Sequence, residues 1–178
     1  MDESLLWRAR AFVYQRFADT ALPPDVEEVA HWFEIEPEEA VELFKELHNR
    51  HAIFLDLDEL TVRMANPFSG IPTDFKVHAN GKTYFANCAW DMLGIPAALH
   101  TDAVIEAKFT ESNESVQLEI KNGQIANGVI LSRNSGEGSL SPTSETLRPL
   151  ASLGAQSDTL LVHFPLPFAR WYDDLVFT

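Results

Sequence analysis

The chain has a single cysteine, Cys88, followed three residues later by a carboxylate, Asp91, in the stretch Tyr84–Leu99, YFANCAWDMLGIPAAL. A deprotonated thiol is a soft nucleophile and metal ligand. A carboxylate one helical turn away can accept the thiol's proton, or deliver a proton to a leaving group when burial lifts its pKa toward neutrality. If a helix starts near Cys88, its first N–H groups and its dipole favour the thiolate. The expected pair is then a thiol of lowered pKa beside a carboxylate of raised pKa. Two plainer roles fit the same spacing. A lone cysteine commonly serves as a small buried hydrophobe. Asp91 could be the third helical residue and cap the backbone N–H near Cys88.

Other chemistry-bearing residues offer less. His48 and His51 end a predicted helix in LHNRH, a spacing that metal ligands use, but no third ligand is evident nearby. Interaction of a histidine with the C-terminal end of the helix dipole is the plainer role. His78 and His163 fall on predicted strands, and Ser69 and Ser141 lack a neighbouring His/Asp pattern. Dinucleotide, phosphate-loop, nucleophile-elbow and zinc-finger spacings are all missing. Trp7, Trp32, Trp90 and Trp171 are expected as core or pocket walls, with Trp90 turned away from Cys88 and Asp91.

The elements around the pair follow from periodicity. DFKVHANGKTYFANC reads as a hairpin. Phe75, Val77 and Ala79 alternate with polar residues, Asn80-Gly81 suits a type I′ turn, and Tyr84 and Ala86 lie on the returning strand. CAWDMLGIPAAL follows as a helix that Gly94 and Pro96 limit or kink. Downstream, AVIEAKFTE, ESVQLEIKNG and QIANGVILS read as strands, Arg133–Leu147 as a Gly/Ser-rich loop, and DTLLVHFPL as a last buried strand.

Upstream, residues 4–17 read as an amphipathic helix with Leu5, Ala9, Phe12 and Phe17 on its apolar stripe. A second helix begins near Asp25, with Val26, Val29, Ala30 and Phe33 inward. A third begins at Pro37, with Ala40, Val41, Phe44 and Leu47 inward. AIFLD and LTVRMA then form a strand pair. Three helices and a two-stranded wing make a winged-helix pattern. Asn66–Thr73, NPFSGIPT, is rich in turn formers and marks the expected boundary to the second part.

A net charge of −14 opposes nucleic-acid binding, and the third helix exposes Glu38, Glu39, Glu42 and Glu46 where a DNA-reading helix needs cations. A structural or dimerising role suits this helical part better, which leaves room for a homodimer. No run approaches the roughly 18 apolar residues that a membrane span needs. The first residues lack the basic and apolar blocks of a secretory signal. With one cysteine, the expectation is a cytoplasmic protein.

Tyr84–Leu99 resembles the active-site segment of the alkylmercury lyases. There an aromatic-rich strand leads into a cysteine, an aspartate three residues on, and an apolar stretch ending Pro-Ala-Leu. The wider layout is similar too, since that family joins a winged-helix-like part to a β-rich catalytic part. The resemblance implies an α+β protein, with residues 1–66 as the helical, winged-helix-like domain and 67–178 as the β-rich domain. In that family two cysteines and an aspartate cut a carbon–mercury bond by protonolysis. By resemblance, Cys88 is the first cysteine and mercury ligand, and Asp91 the proton donor and acceptor. No cofactor is implied; mercury(II) arrives as part of the substrate, an organomercurial or another small molecule.

The second cysteine is absent from these residues. LLVHFPLPFARWYDDLVFT looks like the lead-in to it, which places it beyond Thr178. That reading takes the chain as shortened; the alternative is a natural relative that has lost the chemistry. A non-catalytic soft-metal or small-ligand binder, and a different Cys/Asp-dependent reaction, also stay open.

Overall fold

The computed structural model describes residues 2–108, 114–132 and 146–149. Helix α1 (Glu3–Thr20) starts at Asp2, whose side chain accepts from the Ser4 N–H. It runs a turn beyond the expected end, stopping where Ala21 turns left-handed and its N–H closes on the Phe17 carbonyl. Its buried face is Leu5, Leu6, Ala9, Val13 and Phe17. Phe12, expected on that stripe, lies half-buried at the flank and stacks on Trp32, centroids 5.0 Å apart.

Helix α2 (Val26–Phe33) opens with a capping box between Asp25 and Glu28. Helix α3 (Pro37–Asn49) carries proline in its first turn, where a missing N–H is harmless. It buries Ala40, Leu43, Phe44 and Leu47, so Leu43 takes the inner place expected for Val41. Strands β1 (Phe54–Asp56) and β2 (Thr61–Ala65) are the expected antiparallel pair. His48 joins them to α3, its Nδ1 accepting the Leu55 N–H at 3.1 Å.

The second half builds β3 (Phe68–Ser69), β4 (Lys76–Ala79), β5 (Lys82–Ala86), helix α4 (Ala89–Leu99), β6 (Ala103–Lys108), β7 (Ser115–Lys121), β8 (Gln124–Ser132) and β9 (Thr146–Pro149). The β4–β5 turn is as expected, with Asn80 and Gly81 both at positive φ. Among the described residues all pairings are antiparallel, in the order β1-β2-β3-β5-β4-β6-β7-β8-β9. The architecture is α+β, as expected: helices first, then an antiparallel sheet with one helix inserted. Strand β3 lies within Asn66–Thr73 and pairs with β2 on one side and β5 on the other, so the sheet continues through that stretch. Gly70 is required there, because a Cβ would sit 1.9 Å from the Val62 carbonyl oxygen.

Val77, Ala79, Tyr84, Ala86, Ile105, Val116 and Leu118 face inward and join the buried stripes of α1 and α3 in one apolar cluster. Burying each large side chain contributes about 1.5–3 kcal/mol. Tyr84 is fully buried on β5, and its hydroxyl donates to the Ala18 carbonyl at 2.8 Å, tying α1 to the sheet.

Trp7, Trp32 and Trp90 are not core walls. They are 47%, 66% and 62% exposed, each on the outward side of its helix. The expected loop Arg133–Leu147 ends earlier, since Thr146 already belongs to β9. Residues 133–145, the expected strand at 158–166, Trp171 and the supposed lead-in to a second cysteine fall outside the described residues.

Candidate active site

Cys88 and Asp91 sit where β5 hands the chain to α4. Strand β5 ends at Ala86, held by the Thr73 hydroxyl, which donates to the Ala86 carbonyl at 2.7 Å. Asn87 follows, and Cys88 is the N-cap of α4 in an extended conformation, φ −155°. The first helical hydrogen bond runs from the Met92 N–H to the Cys88 carbonyl at 3.1 Å. Met92 and Ile95 anchor the helix to the core. Pro96 falls in its last turns, and α4 continues through it to Leu99.

Gly94 lets α4 approach the Asn66–Pro67 corner closely. A Cβ at Gly94 would lie 3.1 Å from the Pro67 Cβ. Asp91 is three residues before Gly94, hence on the same side of the helix, and its carboxylate is joined to the 66–68 segment through one side chain. The link is Asn87, only 8% exposed. Its Nδ2 lies 3.1 Å from Asn66 Oδ1, 3.4 Å from the Pro67 carbonyl, 3.1 Å from the Phe68 carbonyl and 3.2 Å from Asp91 Oδ2.

The structure brings the two predicted site residues together. Cys88 and Asp91 lie close enough that each perturbs the proton affinity of the other. Both are half-buried, and the electrostatics differ from expectation in one respect. Burial pushes the Cys88 thiol up, and the adjacent Asp91 charge adds to this. The Asp91 and Trp90 N–H groups pull the other way, as a helix start should, but burial and Asp91 outweigh them. No side-chain cap hydrogen bond closes the start of α4. The thiol pKa is therefore raised, not lowered. The Asp91 carboxyl is raised as expected, by burial, against the opposing hydrogen bonds of Asn87 and Cys88. The Asp91 carboxylate accepts from the Asn87 amide, which replaces the simple capping role.

Residues that the sequence did not single out complete the surroundings. Asn87 and Asn66 were hidden because an asparagine beside a turn is ordinary. Tyr14 comes from α1, more than seventy residues away in the chain. Its ring meets Phe68 edge-on at 6.4 Å. Burial raises its hydroxyl pKa, with Asp91 adding to the shift, while Arg10 opposes it and donates to the hydroxyl at 3.1 Å. His48 is a structural acceptor rather than a ligand, its pKa lowered by burial and by neighbouring His51. Among the described residues, no cluster of three or more His, Cys, Asp or Glu could hold a metal ion. Nor is any described helix long and apolar enough to cross a membrane.

Comparison with known proteins bears on this segment. The alkylmercury lyase family model matches residues 68–129, which include Asn87, Cys88 and Asp91. Among solved structures, the crystal structure of the mercury-bound form of MerB2 matches with a TM-score of 0.57 and 22% identity over 72% of this chain. The match spans 61% of that structure's chain, and at this identity it shows a shared fold. Comparison with curated proteins returns no match. The stretch that holds Cys88 and Asp91 is thus similar to the alkylmercury lyase family model, on a fold shared with MerB2.

Proposed function

We propose that the protein captures the mercury of a small organomercurial on Cys88 and uses Asp91 to move the proton that ends the carbon–mercury bond. The observation that carries this reading is the thiol and carboxylate side by side at the start of α4, half-buried and both of raised pKa, within the lyase-like segment. An organomercury cation is soft and prefers thiolate. On capture, the Cys88 S–H bond breaks, a sulfur–mercury bond forms, and the proton passes to Asp91, whose raised pKa suits it to hold one. In the second step the Asp91 O–H bond breaks. The electron pair of the carbon–mercury bond takes that proton, and the hydrocarbon leaves with mercury still in the divalent state.

Mercury(II) left on Cys88 needs a second soft ligand, and two thiolates together push electron density toward carbon. This chain has one cysteine, so a small-molecule thiol fills the second place in the assay. The test uses phenylmercury acetate with excess thiol, read by intact-protein mass and by headspace detection of benzene. A one-to-one adduct is expected in the wild type and absent in Cys88→Ser; benzene release is expected to stop in Asp91→Asn. Lack of any Cys88-dependent adduct sinks the proposal. The single cysteine favours one further reading, capture without cleavage, which an adduct without benzene identifies.

A further inference from the structure

We propose that Asn87 is a positioning residue: its buried amide anchors the Asp91 carboxylate against the Cys88 thiol. The geometry leaves the amide little choice. All four groups around Nδ2 are oxygen acceptors: Asn66 Oδ1, the Pro67 and Phe68 carbonyls, and Asp91 Oδ2. The NH₂ group, not the amide oxygen, must therefore face them. It has two hydrogens for four oxygens, so Asp91 competes with three rigidly placed neighbours for each donation. Two of those neighbours are backbone carbonyls of the 66–68 segment, on which Asn87 is itself fixed. Asp91 has only two side-chain torsions and sits in the first turn of α4. Without the amide, a half-buried carboxylate gains solvation by swinging outward, and leaves the thiol as it does so. Asn87 thus sets where the proton acceptor stands, and touches neither the sulfur nor the substrate.

The importance of this for turnover rests on the proposed function. The anchoring does not, so the test uses a readout that needs no mercury chemistry: the rate at which iodoacetamide alkylates Cys88 at one fixed pH, in a double-mutant cycle. Asp91→Ala frees the thiol from the adjacent negative charge, and alkylation speeds up. Asn87→Ala has the same effect through the displaced carboxylate, by about threefold or more, as a one-unit change in thiol acidity corresponds to tenfold in thiolate at fixed pH. The double variant is then no faster than Asp91→Ala alone. A merely structural role for Asn87 predicts instead that the two effects multiply. That result, or an unchanged rate in a folded Asn87→Ala protein, overturns the proposal.

Should Asn87→Ala not fold, the side-chain amide signals of Asn87 in ¹⁵N–¹H spectra decide the matter. They are expected to be separate and slow to exchange in the wild type, and to shift on Asp91→Ala. Signals indifferent to Asp91 overturn the anchoring. Failure of mercury capture alongside a positive cycle dismisses the lyase reading and keeps the anchor; the converse keeps the lyase reading and dismisses the anchor.

Discussion

The N-terminal helices and the β5–α4 junction solve the problem of polar groups in opposite ways. In α1 to α3 the carboxylates lie at or near the surface, in caps and ion pairs. Asp2 caps α1, Asp25 and Glu28 form a capping box on α2, and Arg50 bridges Glu3 and Glu46. The interior there is apolar, from Leu6 to Leu47. At the junction, Asn87, Cys88 and Asp91 are drawn at least partly under the surface, and α4, like α3, starts without a side-chain cap hydrogen bond. Both titratable groups there have pKa values raised chiefly by burial. A carboxylate and a thiol half-buried side by side are what distinguish the junction from the helical region.

That contrast can be tested from both sides. The largest effect belongs to the helical core. Phe17 is fully buried and stacks on Phe68 with centroids 5.2 Å apart, so Phe17→Ala should lower the unfolding free energy by about 3–5 kcal/mol in urea titration. A loss much below this means the helices are less well packed than the contrast requires. Next comes the cap. Asp25→Ala removes the acceptor for the Glu28 N–H at 2.7 Å and should destabilise by about 1 kcal/mol.

The smallest effect has the opposite sign. Burial raises the Asp91 pKa above the ordinary 3.8, so the native state holds the Asp91 proton more tightly than the unfolded chain does. Stability from this residue is fully present below the unfolded pKa and is lost as pH rises through the folded one. Asp91→Asn should therefore raise the melting temperature at pH 7, by about 2 °C or more, and the gain should vanish at acid pH. A variant that melts lower at pH 7 breaks the comparison, because Asp91 would then stabilise the fold rather than burden it.

His48 offers a control in the helical region. Its lowered pKa and its role as acceptor for the Leu55 N–H mean that protonation opposes the fold. Its contribution is complete above about pH 6.5, the unfolded value, and declines as pH falls below it. A melting temperature that decreases from pH 7 to pH 5.5 in the wild type, and decreases less in His48→Asn, is the expected pattern.

Much of this was legible along the chain. Helical periodicity located α1 to α3, and Asn80-Gly81 located the hairpin turn, because side-chain spacing and positive φ are properties of neighbouring residues. Cys88 and Asp91 were legible as a pair because three residues make one helical turn. The direction of the thiol shift was not. The helix start lowers a thiol pKa by a local mechanism, but burial raises it, and burial depends on what packs around α4. Asn87 was invisible for the same reason. Its partners Asn66, Pro67 and Phe68 lie some twenty residues away and meet it only because β3 pairs with β5. The exposure of Trp7, Trp32 and Trp90 also depends on which helix face meets the sheet.

Residue order alone thus specified the local elements, the α+β class and the spacing of Cys88 and Asp91, since each follows from neighbouring residues and their side-chain chemistry. Three-dimensional packing settled how those groups behave. The close approach at Gly94, the β3–β5 pairing and the burial of the junction bring distant oxygens around one amide and take water away from one thiol and one carboxylate. Proton affinity depends on that surrounding dielectric and on those partners, which no run of neighbouring residues contains.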